Sequence, residues 1–203
     1  MRRSLLLLAV LLPGVCQVAL AQEGAPTNIR VYQHLSTRIG DSLSAHIPER
    51  DSLRILLSVV PEGSAWLIEG GIAQAFRDRG YTVVVAPPAE YEAELGVLEM
   101  RVVYGEVRSD GLFSGNVVDR EVHLSASAKL VDRRSSVLTV SREFRQTSVD
   151  TVLVSEIPQL EDPNIPITQG APPGEGFFSS LAEPLILLGA VAVAVYLLFT
   201  VRS

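Results

Sequence analysis

The sequence predicts an α+β fold: a single mixed sheet with helices packed on one face, in the order α-β-α-β-β-β-β, plus one C-terminal transmembrane helix. Three observations carry this expectation. Apolar residues recur at three- and four-residue steps in two stretches, residues 28–47 and 64–79, and a short apolar run follows each. Beyond residue 98 the apolar period shortens to two, as in half-buried strands. Residues 184–201 then carry no charge at all.

The first helical pattern runs through Ile29, Tyr32, Leu35, Ile39 and Leu43, with Asn28 as N-cap and Pro48 closing it. Residues 53–60 (LRILLSVV) read as a strand buried on both faces, and Pro61-Glu62-Gly63 as a turn. The second helix spans residues 64–79, capped by Ser64, with Ile68, Ile72, Ala75 and Phe76 on its apolar face and Gly80 in the left-handed C-terminal cap. Gly70-Gly71 inside it costs about 1 kcal/mol per glycine relative to alanine, which is tolerable where the helix packs tightly on a sheet. A phosphate loop would place its glycines ahead of the helix instead.

Residues 81–86 (YTVVVA) form the next strand, stopped by Pro87-Pro88. An acidic connection, PAEYEAE, leads to a strand in which Leu98, Met100, Val102 and Tyr104 face the core. A turn-rich loop covers residues 109–116. Val122, Leu124, Ala126, Ala128 and Leu130 then alternate with polar residues, and the turn at residues 132–135 returns the chain as residues 137–146, an antiparallel hairpin. Residues 150–157 suggest a last short helix. Five prolines and three glycines follow, so residues 158–179 read as an extended linker.

The ends complete the expected organisation. Residues 1–21 have a signal peptide's parts: Arg2-Arg3, an apolar stretch at residues 5–12, and Ala19-Leu20-Ala21 at the cleavage position. Retained, this segment would instead be a second anchor. Residues 22–27 read as a disordered lead-in, and residues 28–157 as the exported domain. Residues 180–203 read as the transmembrane helix, with Ser180 and Glu183 in capping-box spacing and Arg202 on the cytoplasmic side. The expected location is the bacterial inner membrane, single-pass, with the main domain in the periplasm or outside and the C-terminus cytoplasmic. Gly189, Ala190 and Ala194 permit helix-mediated self-association.

Composition narrows the chemistry. Cys16, inside the leader, is the sole cysteine, so the exported part has no disulfide, no cysteine–zinc site and no thiol nucleophile. With no N-x-[ST] sequon either, the pattern fits a bacterial envelope protein. Setting aside Arg2, Arg3, Arg202 and Glu183 turns the formal charge of −6 into −8 for the exported part, which disfavours nucleic acid as a partner.

No residue is assigned as catalytic, cofactor-binding or metal-ligating. His34, His46 and His123 lack any metal-binding spacing. Glu90, Glu92, Glu94 and Glu99 are the densest carboxylate group, with three on one side of an extended segment, the arrangement a paired-carboxylate hydrolase would need. Arg133, Arg134, Arg142 and Arg145 suit an acidic partner or the protection of an exposed edge. Trp66, Phe76, Tyr104 and Phe144 are the residues that would line an apolar ligand cavity.

The element order, with GGIAQAFRDRGYTVVVA and HLSASAKLVDRRSSVLTVSREF, resembles a group of bacterial envelope domains. These are the TolB amino-terminal domain, the curli-secretion lipoprotein and the penicillin-binding-protein activator lipoproteins. The resemblance spans residues 29–157 and rests on a helix ending in Arg-Gly-Tyr before a valine-rich strand. Those families are soluble or held by an amino-terminal lipid, so the apolar C-terminus departs from them. The expected function is a membrane-anchored, non-enzymatic, protein-binding accessory factor in envelope assembly or maintenance. The alternative is a sensor or carrier of a small molecule or lipid.

Overall fold

The computed structural model describes residues 24–49, 52–109 and 115–173, together with residues 188, 190, 191, 193 and 197 singly. Helix α1 (Asn28–Ser44) buries Val31, Tyr32, Leu35, Ile39 and Leu43, close to the stripe its periodicity predicts. Its N-cap is Thr27, whose side chain accepts from the Arg30 N–H at 3.4 Å. Asn28, expected there, is fully buried in the first turn instead.

Strand β1 (Arg54–Val60) follows, then α2 (Glu62–Asp78). The second helix begins two residues before Ser64, with Pro61 in the N-cap position. It ends as expected at Gly80 (φ 81°). There the Gly80 N–H donates to Arg77 O and the Tyr81 N–H to Phe76 O, the paired bonds of a Schellman cap.

Strand β2 (Thr82–Val84) is short, and β3 (Tyr91–Tyr104) is long. The later part of the stretch read as an acidic connection, Tyr91 to Glu94, is therefore the start of β3. A bulge between Val97 and Glu99 pushes Leu98 out of the ladder, so this leucine, expected in the core, is exposed. Beyond β4 (Arg108–Ser109), β5 (Asn116–Asp132) and β6 (Val137–Leu153) form a hairpin longer than its clean alternation foretells. Ser136 turns it with φ 56°.

The sheet runs β2-β1-β3-β5, with the first three parallel and β3–β5 antiparallel. On its other side β5 pairs antiparallel with β6, while β4 takes up β5 at Asn116 and Val117, where β3 has ended. Both helices pack on one face, α1 over β5 and β6 and α2 over β1 and β2, as the sequence predicts.

The two helices also pack on each other, and this explains half of the glycine pair. A Cβ at Gly71 would lie 2.1 Å from Ser36 Oγ and 2.4 Å from Gln33 O, both on α1. At Gly40 it would lie 2.7 Å from Ala75 Cβ. Gly70 meets nothing within 4 Å. The close approach that needs glycine is helix on helix, not helix on sheet.

Two expectations at the ends of the domain change. The chain does not leave as a linker at residue 158: after a 3-10 turn (Val154–Glu156) come α3 (Ile157–Leu160) and a second 3-10 turn (Pro166–Thr168). Leu160 and Thr168 are buried, and Ile165 and Ile167 pack against the core. The residues expected as a disordered lead-in are bonded from Pro26 onward.

The transmembrane helix expected over residues 180–203 is corrected: no helix of the described residues is long and apolar enough to cross a membrane. Leu188, Ala190, Val191, Val193 and Leu197 are helical and exposed, and the rest of that span lies outside the described residues. With that helix go the single-pass inner-membrane placement, the cytoplasmic C-terminus, the membrane as partner and the helix-mediated self-association. The leader at residues 1–21, including Cys16, lies outside the described residues.

Candidate functional site

Two features separate from the ordinary core: a polar node inside the fold and an open edge along β6. The node centres on Arg120, on the inward face of β5 and fully buried. Its register partner on β6 is Asp150, which takes a forked bond from the guanidinium, with Nε to Oδ1 at 2.8 Å. Arg120 Nη1 also donates to Pro26 O and to Asn28 Oδ1, both at 2.8 Å. Asn28 in turn donates to Thr168 O at 2.7 Å and to the Tyr104 hydroxyl at 3.2 Å. Tyr32 donates to Ile167 O at 3.2 Å.

Burial, more than the charge of Glu99 beside it, raises the Tyr32 hydroxyl far above its ordinary acidity range. Burial also raises Tyr104, against the opposing pull of the Asn28 bond. Both hydroxyls stay protonated. Among the described residues no buried side-chain nitrogen or oxygen lacks a partner. A node whose buried polar atoms are all partnered fastens elements together.

The outer sheet face is polar and carries crossing pairs. Asp119 takes both guanidinium nitrogens of Arg108 and the Thr151 hydroxyl at 2.7 Å. Arg108, then Thr151, hold its carboxyl down at about 2. Further along, Glu143 accepts from Arg145 at 2.6 Å and from Ser125 at 2.9 Å. Those bonds, Arg145 first, keep its carboxyl below the usual range. One polar face is the normal condition of an antiparallel sheet and needs no partner to explain it.

The edge is different. Strand β6 is 17 residues long and among the described residues it pairs with β5 alone. Val137, Leu138 and Val149 on it are all more than half exposed. The sequence shows the hairpin but not this edge, because pairing order is a property of the whole sheet.

The carboxylates expected together are dispersed by pairing. Glu90 accepts from the Arg54 N–H at 2.8 Å and from Arg134 at 3.2 Å, and these bonds, the backbone one foremost, lower its pKa. Glu92 pairs with Arg133, Glu94 with Lys129 at 3.9 Å, and Glu99 with Arg101 at 3.3 Å. Each carboxylate thus has its own base. The hairpin-tip arginines are spent on these pairs, while Arg142 lies over the Phe144 ring at 4.4 Å.

His34 is exposed on α1. His46 contacts Ser42 O at 2.9 Å, and His123 lies between Thr147 and Glu121, each at 3.2 Å. No group of three metal-ligating side chains forms among the described residues.

Nor do the four aromatics share a cavity. Phe76 and Phe144 are core residues, Tyr104 belongs to the polar node, and Trp66 is exposed. Trp66 lines a shallow cleft of about 310 Å³ with Leu67 and residues 164–167. A larger open cleft, about 870 Å³, lies beside Pro26, Arg108, Asp150 and Glu156, and a smaller one beside Pro87 and Arg133. Phe76, Tyr104 and Phe144 line none of the three.

No protein-family model and no curated protein matches the chain. Among solved structures it is similar to a lipoprotein from Neisseria meningitidis, at 15% identity over 50% of this chain and 85% of that one, with a TM-score of 0.31. A protein from Xanthomonas campestris matches at 14% identity over 50% and 69%, TM-score 0.35. A minor lipoprotein from Acinetobacter baumannii matches at 15% over 52% and 75%, TM-score 0.32. TM-scores this low carry no argument for fold or function. None of the three bears the name of the TolB, curli-secretion or penicillin-binding-protein activator domains.

Proposed function

We propose that this chain is an extracytoplasmic accessory domain of the bacterial envelope that acts by binding polypeptide, without catalysis, in envelope assembly or maintenance. The observation that carries the reading is the β6 edge, 17 residues long, on whose outer side no strand pairs among the described residues. A strand edge offers a row of backbone N–H and C=O groups, and an extended peptide satisfies them by joining the sheet. The leader-like residues 1–21 support export, and the dispersal of Glu90, Glu92, Glu94 and Glu99 into separate ion pairs leaves no convergent pair of free carboxylates for hydrolysis.

A photoreactive side chain placed at Val149, 62% exposed on β6, tests the reading in cells. Irradiation is expected to join this position to a discrete polypeptide, while the same group at His34 on α1 yields none. Equal labelling at both positions, or none at Val149, would refute it.

A further inference from the structure

We infer that the occupant of the β6 edge is a second copy of this chain, laid antiparallel about a two-fold axis at Phe144, with Glu143 of each copy facing Arg145 of the other. This deepens the polypeptide-binding reading and rests on it.

The argument begins with which part of β6 is regular. Its ladder with β5 is interrupted between Leu130 and Val131, where the paired residue jumps from Val140 to Leu138 and leaves Thr139 as a bulge. From Val140 to Leu153 the pairing is uninterrupted. In that stretch Phe144 and Asp150 face inward, opposite Ala126 and Arg120, whereas Glu143 and Arg145 bond on the outer face beside Ser125.

Residues directly opposite in an antiparallel pair share a face, and a two-fold axis makes each contact occur twice. Registers centred anywhere from Phe144 to Val149 keep nine or more of these residues paired, and those centred on Thr147, Ser148 or Val149 set no two charges of opposite sign against each other. Centring on Arg145 sets that arginine against its own copy, a like-charge clash. Centring on Gln146 sets Glu143 against Val149, and Arg142 against Asp150, which Arg120 already occupies.

Centring on Phe144 behaves differently. Glu143 meets Arg145 twice, Ser141 meets Thr147, Arg142 meets Gln146, and Val140 meets Ser148. No like charges oppose one another. The paired run, residues 140–148, also ends where the Thr139 bulge ends the regular strand.

Arg145 is 81% and Glu143 40% exposed, so the pair they form within one copy lies open to the same pair of a second copy, and the two join as a four-charge ring. Nine residues a side make an interface at or below the low end of the roughly 1,200–2,000 Å² range of specific interfaces, the size of a weak, transient association.

Charge reversal tests this register. The full chain, measured by light scattering, is expected to dimerise below about 100 μM. E143R and R145E should each weaken dimerisation at least about tenfold, since each sets like charges against one another twice. An equimolar mixture of the two variants should recover it, because every facing pair is then Arg against Glu. A dimer indifferent to both reversals, or variants whose mixture stays monomeric, would overturn the register.

If a variant fails to fold by circular dichroism, hydrogen exchange on the unsubstituted chain decides. Amides in residues 140–148 should slow as concentration rises, and concentration-independent exchange counts against the dimer. A monomeric unsubstituted chain that still crosslinks from Val149 to a different polypeptide overturns the second copy while preserving the polypeptide-binding role. A monomer that crosslinks to nothing removes both.

Discussion

Asn28 and Arg120 show what single residues hold and what a sequence conceals about them. Asn28 stands where an N-cap is expected, and Thr27 takes that role one position earlier. Its amide turns inward to join α1, β3, β5 and the returning C-terminal segment through three partners. Arg120 falls in the alternating stretch of β5 in an inward position, among Val118, Val122 and Leu124. Alternation alone marks it as inward, but an arginine there looks like the end of the strand until Asp150 appears across the ladder. That partner lies 30 residues away, and only hairpin register brings it there. Removing one member of such a pair strands the other. R120M is therefore expected to lose about 3–5 kcal/mol in urea denaturation. A loss below about 1 kcal/mol would mean that Asp150 and Asn28 find water instead. The carboxylates 90–99 show the converse: their density is legible, and the separate base assigned to each is not.

At the scale of elements, the helices and strand types were legible because their periods differ, while lengths and contacts were not. The stripe of α1 and the Gly80 cap follow from local pattern, and both stand in the structure. The acidic start of β3 hid a strand because paired glutamates resemble a solvated loop. The bulge at Leu98 broke the inferred alternation because two residues there face one across the ladder. Gly70 and Gly71 look equivalent in sequence, yet only one touches α1. Thermal and chemical denaturation should separate them. G70A is expected to gain up to about 1 kcal/mol from helix propensity. G71A should lose about 1–3 kcal/mol, because the Gln33 carbonyl facing the new methyl is backbone and cannot swing away. Equal effects would show that the helices part easily.

For the molecule as a whole, one sheet with both helices on one face was readable from element order, since each amphipathic element needs a covered side. The limits of the folded unit were not readable. Proline-rich residues after 157 look like a spacer, but Leu160, Ile165, Ile167 and Thr168 close over the end of the sheet. Gly170 fits so tightly that a Cβ would lie 2.7 Å from the Tyr104 ring. A chain ended at residue 157 should therefore unfold at lower urea than one ended at 173, by about 3–5 kcal/mol, roughly two buried side chains plus their lost bonds. Coincident midpoints would restore the spacer reading. The polar node has a mechanical meaning too. Pro26 O and Thr168 O, near the entry and exit of the folded unit, are both held by the Arg120–Asn28 pair. The chain thus enters and leaves at one clasp. Tension applied across the two ends loads that clasp directly, before it can peel a strand from the sheet.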